Sequence, residues 1–216
     1  MTAALLTLAD SRLPAGGHTH SGGVEQAIAA GLVHAPSSLA AFLLRRLTTA
    51  GVVAAGLAAA ACEGGDLAAL DAEADARTPS PALRAASRQQ GRGLVRVGRR
   101  AWPSPLWDAL PPAPHHPVAL GVAAAAGGLT PRDAAAAAAY LTVSGPATAA
   151  QRLLAMDPLT VAAVTARLAP EIDAVAEAAS GRNGHFCHSD LPADTDLLLD
   201  LLAEVHTARK DRFFAS

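Results

Sequence analysis

The chain has 216 residues and a mass of 21.7 kDa, the length of one domain or of one domain with an appendage. Hydrophobic residues make up 51% of it, yet alanine alone supplies about a quarter of the chain and the aromatics only 3%, which excludes a sheet protein built on β-branched and aromatic residues. A net charge of −2 excludes a general electrostatic grip on nucleic acid.

These observations predict an all-α fold, a single-domain helical bundle of about eight to nine helices over 1–208, followed by a short tail at 209–216. Helix punctuation is legible along the chain. Ser80-Pro81, Thr130-Pro131 and Asp157-Pro158 each place an N-cap acceptor before a proline at the first helical position, where its missing N–H costs nothing. Gly64-Gly65 and Gly127-Gly128 follow apolar runs as stop signals. Reading between these marks gives helices near 3–10, 22–33, 37–62, 66–77, 80–101, 116–126, 130–155, 158–179 and 192–209, with loops at 11–21, 102–116 and 180–191. In the last helix, Leu197, Leu198, Leu201, Leu202 and Val205 form one apolar stripe at helical spacing.

Cys62 and Cys187 make no disulfide framework. The amino terminus has no basic residue ahead of its apolar stretch, and the uncharged, mostly alanine run 134–150 is broken by Gly145-Pro146 and falls short of the roughly 20 apolar residues a bilayer requires. The expectation is a cytoplasmic protein without a membrane span.

Catalytic motifs are incomplete. The segment Gly16-Gly17-His18-Thr19-His20-Ser21-Gly22-Gly23 has the glycines of a phosphate loop, but Val24 follows where a lysine and hydroxyl would be needed. Asp10, His18, His20 and Ser21 are the residue types of a hydrolytic triad, and equally those of a polar loop joining two helices. His185-Phe186-Cys187-His188 carries imidazole and thiolate donors suited to Ni, Zn or Cu, without a second CxxC or HxxxH partner. It reads either as a solvated loop or as the metal site of a metal-dependent helical hydrolase using His185, Cys187 and His188. His115-His116 is a weaker pair of the same kind.

Arg84, Arg88, Arg92, Arg96 and Arg100 recur at every fourth position and form a cationic face on a helix, joined by Arg99. That face is solvated, or docks an acidic partner or phosphate, or pairs with the acidic stripe Asp196, Asp200 and Glu204 within or between subunits. Gly91 and Gly93 interrupt the same helix, each costing about 1 kcal/mol relative to alanine, which signals a close helix contact or a bend. Phe213 and Phe214 follow Arg209-Lys210-Asp211-Arg212; an aromatic pair flanked by charges is either tucked on the domain or offered to another protein.

Leu5-Leu6-x-Leu8-Ala9-Asp10-Ser11-x-Leu13-Pro14-x-Gly16-Gly17, continuing to His20-Ser21-Gly22-Gly23-Val24-Glu25, closely resembles the opening signature of the urease accessory protein UreF family. Ser87-Arg88-Gln89-Gln90-Gly91, Ala150-Gln151-Arg152-Leu153-Leu154 and Arg212-Phe213-Phe214-Ala215-Ser216 look like the later blocks of that family, in order and over nearly the whole chain. The resemblance implies an all-α fold, commonly homodimeric, with no catalysis and no cofactor of its own. It implies action with UreD (also called UreH) and the GTPase UreG as a chaperone complex that loads nickel into apo-urease, driven by GTP hydrolysis. Carried onto this sequence, it places partner contacts at Gly16, Gly17, His20, Ser21, Gly22 and Glu25 and at Arg212, Phe213, Phe214 and Ser216.

Overall fold

The computed structural model describes residues 3–180 and 190–215. Its α-helices run in the order α1 (Ala3–Ala9), α2 (Val24–Ala29), α3 (Pro36–Arg46), α4 (Val52–Glu63), α5 (Leu67–Ala76), α6 (Pro81–Ala101), α7 (His116–Ala126), α8 (Pro131–Leu153), α9 (Pro158–Arg167), α10 (Ala169–Ser180) and α11 (Leu197–Ala208). The fold is all-α. Among the described residues, extended pairing is confined to a single parallel bridge between His20 and Ala215.

The three capped prolines start helices where the sequence puts them. Ser80 Oγ accepts from the Leu83 N–H at 3.2 Å, Thr130 and Asp133 satisfy each other's backbone donors, and Asp157 accepts from the N–H groups of Leu159 and Thr160. Three boundaries depart from expectation for local reasons. The predicted helix 158–179 divides at Leu168, because Pro170 has no N–H to continue the ladder and its ring would press on the carbonyl four residues back. The last helix starts at Leu197, where Asp196 accepts from Leu198 and Leu199. Within the expected helix 37–62, a π-turn over Leu47–Gly51 joins α3 to α4, and there Thr48 and Thr49 bond back to the Leu44 and Arg45 carbonyls.

α8 is the central helix and packs against α1, α2, α3, α4, α7, α9 and α10. Its alanines let α4 and α7 approach closely, and the two faces of α8 separate the core into one cluster around Leu57, Leu94, Trp107 and Leu120 and another around Leu39, Leu43, Leu47 and Val143. The run Pro36–Glu63 is long and apolar enough to cross a membrane, and here it is a core helix with Leu39, Leu43, Leu47 and Leu57 buried.

Two expectations about α6 and α11 are resolved. Gly91 and Gly93 mark close contacts with loop backbone: a Cβ at Gly91 would collide with the Pro114 carbonyl oxygen, and one at Gly93 with that of Ala15. Helix α6 continues unbroken through both. The predicted apolar stripe of α11 is largely solvent-facing, with Leu197, Leu201 and Val205 exposed, while Leu199, Leu202, Ala203 and His206 form the buried face. The reason is polar: His206 turns inward to a carboxylate on α2.

Candidate functional site

That carboxylate is Glu25, in the first turn of α2 and almost fully buried. Its Oε2 accepts from His206 Nε2 at 3.0 Å and from the Phe214 N–H at 2.9 Å, and its Oε1 accepts from the Phe213 N–H at 2.7 Å. Burial alone would raise the Glu25 pKa. The donated bonds from Phe213, His206 and Phe214 outweigh it and hold the carboxyl below its ordinary value. Around this centre the Ser21 N–H donates to the Ala215 carbonyl at 3.1 Å, the Ala215 N–H donates to the Thr19 carbonyl at 2.8 Å, and Arg209 reaches Gln26 at 3.1 Å. The glycine-rich loop and the carboxyl-proximal tail, predicted as two separate contact regions, are thereby one clasp.

The loop can enter this clasp because Gly22 and Gly23 have φ of +58° and +87°. A Cβ on Gly22 would also meet Pro146 at 2.7 Å and the Arg46 guanidinium at 3.3 Å, so glycine is demanded twice over. Gly16, with φ +87°, precedes a 3₁₀ turn over Gly17–Thr19. His20 and Ser21 are buried, and Ser21 Oγ has no hydrogen-bond partner among the described residues.

On the outer side of the clasp Phe213 is 85% exposed, and Arg212 is exposed beside it. Phe214 is partly buried against the core cluster around Leu39 and Val143. The aromatic pair thus does both things the sequence allowed: one ring anchors the tail and the other is presented outward.

Of the triad types near the amino terminus, Asp10 and Ser21 are not brought together, and the His18 side chain lies outside the described residues. Asp10 is held by Arg12 through contacts of 2.7–3.0 Å, which pull its carboxyl down to about 2, and Ser21 Oγ touches no acceptor. His185, Cys187 and His188 lie outside the described residues, as does Ser216. Among the described residues no group of three His, Cys, Asp or Glu side chains is arranged to hold a metal ion.

The arginine face divides into two halves. Arg88 is committed to Asp71 at 2.9 Å, Asp75 at 2.6 Å and the Ala113 carbonyl, and Arg84 donates to the Thr78 carbonyl at 2.7 Å. Arg99 pairs with Asp108 at 2.7 Å. Arg92, Arg96 and Arg100 are exposed with no carboxylate partner among the described residues. The acidic stripe does not face them. Asp196 binds Arg45, and Glu204 accepts from Ser80 Oγ and the Ala82 N–H at 2.9 Å, so it caps the start of α6.

Sequence reasoning missed two groups, His206 and Arg46, and read a third, His115, only as half of a weak metal-donor pair. His206 gave no local signal, since its partner is 181 positions away. His115 is buried between Asp75 at 2.8 Å and Ser87 at 3.0 Å, a network that orders the loop entering α7. Arg46 did carry a signal, because it stands in helical register with Leu39, Phe42 and Leu43, on the face that α3 buries.

Comparison with known proteins agrees with the family resemblance. The family model described as UreF matches residues 33–169. The urease accessory protein UreF of Mycobacterium sp. (strain JLS) is 55% identical over 214 residues, covering 98% of this chain and 97% of the relative. The UreF proteins of Mycolicibacterium vanbaalenii and Mycobacterium marinum are 53% and 54% identical, each over 99% of this chain and 98% of their own.

Proposed function

The chain belongs to the UreF family of urease accessory proteins, and from that premise we propose that it works as a cytoplasmic assembly scaffold whose clasp recruits UreD (UreH) during nickel loading of apo-urease. As an accessory protein it performs no catalysis of its own. It acts as a homodimer, without nucleic acid or membrane, and supplies binding energy and geometry that hold the GTPase UreG near apo-urease, so that GTP hydrolysis is coupled to nickel transfer. Nickel is the cargo of this reaction.

The observation that carries this reading is the joining of loop to tail, in which the buried Glu25 carboxylate accepts from the Phe213 and Phe214 N–H groups and the backbone of Thr19 and Ser21 pairs with Ala215, with Phe213 left 85% exposed on the result. An exposed aromatic ring on a rigidly bonded backbone has the character of an interface anchor, since little of its entropy remains to be lost on docking. Arg212 beside it supplies the donor such anchors often carry. The exposed half of the cationic face, Arg92, Arg96 and Arg100, is the candidate contact for an acidic partner surface.

Two variants test the clasp. Removing 209–216 should abolish capture of UreD in a pull-down while the helical circular-dichroism signal persists, and Phe213→Ala should weaken capture by at least tenfold without lowering the melting temperature. Undiminished capture by both would refute the assignment.

A further inference from the structure

Arg46 is the last residue of α3, directly before the π-turn, and its partly buried guanidinium packs against Gly22. Its Nε donates to the Thr142 carbonyl at 3.3 Å; among the described residues no carboxylate lies within ion-pair distance. Burial, with no acid to offset it, pushes its pKa down to about 10. Other partly buried arginines are compensated, Arg77 by Glu73 and Arg88 by Asp71 and Asp75. A desolvated cation without a counter-ion is costly, and an anion that reached it would relieve that cost.

Arg46 lines a cavity of about 560 Å³ enclosed by α1, the loop after it, α6, α7, α8 and Phe214. Much of the wall is apolar, with Leu8, Leu94, Leu120 and Leu141, and hydroxyls come from Ser144 and Thr148. Asp10 is the one carboxylate among the described residues lining it, and Arg12 already occupies that group. Arg152, exposed and without a carboxylate partner among the described residues, stands on the same wall. A smaller cavity on the other side of Arg46 is lined by Asp194, Asp196 and Asp200; Asp196 is engaged by Arg45, and none of the three is within ion-pair distance of Arg46.

We propose that Arg46 anchors a binding site for a small oxyanion of the carboxylate or phosphate class, with Arg152 as a second, rim-side donor. The planar guanidinium fork suits two parallel hydrogen bonds to such a group, and the cavity lies within the range of ordinary small-molecule sites. The site is independent of the clasp's partner and would exist in the isolated chain.

The test uses the full chain, titrated with sodium phosphate and separately with sodium malonate, each against sodium chloride at matched ionic strength, by thermal shift and calorimetry. The expected result is a saturable one-site response to phosphate or malonate that chloride does not reproduce. The anion that saturates at the lower concentration identifies the class. Arg46→Gln should weaken it at least tenfold, and Arg46→Lys should also weaken it, because a point charge replaces the fork. Arg152→Gln, a surface change that leaves the core intact, should weaken it several-fold. No saturable response in the unaltered chain, equal stabilisation by chloride, or unchanged affinity in both Arg46→Gln and Arg152→Gln would overturn the proposal.

Discussion

Glu25 concentrates three donated hydrogen bonds on one buried carboxylate, so its removal takes the acceptor from two backbone N–H groups and one bond from His206 at once. Glu25→Ala should cost about 3 kcal/mol, as breaking a buried charge-assisted network does, and should free the tail to proteolysis; chemical denaturation and limited digestion measure both. Because the folded carboxyl titrates below its unfolded value, its contribution is fully present above about pH 4.5 and is lost as pH falls through the folded value. The acid side of the stability profile should therefore flatten in the variant, and an identical acid slope would refute this. Family blocks made Glu25 and the two phenylalanines legible individually. Their junction was not, because partners 188 positions apart share no spacing that a local pattern can register.

Helix starts were legible because a cap and its proline are neighbours in sequence, and the physics that links them is local. The buried face of α11 was not, since leucines lie on both sides of that helix and period alone ranks neither. A single inward histidine decided the rotation. Gly91 offers a test in which local and tertiary effects have opposite signs. Alanine there raises helix propensity by about 1 kcal/mol, yet its methyl would strike the Pro114 carbonyl. Gly91→Ala should lower the melting temperature, and any increase would show that α6 can slide away from the loop before α7.

Across the whole molecule, one helix carries both structural and displayed arginines. Arg88→Ala should destabilise by about 2–3 kcal/mol because Asp71, though it keeps the His115 N–H, is left buried without the cation that pairs with it. Arg92→Glu should leave stability within about 0.5 kcal/mol while reducing salt-sensitive association with an acidic partner. Denaturant midpoints and binding isotherms at two ionic strengths separate these outcomes, and a destabilised Arg92→Glu would return that face to the fold. The clasp has a temporal corollary as well. Its two halves lie almost a full chain-length apart in sequence, so the clasp can close only after the tail has left the ribosome. A chain cut short before residue 213 lacks the ring, and a misfolded one does not hold it in the clasp, so readiness to join an assembly becomes a certificate that synthesis through residue 215 and closure of the bundle have both occurred.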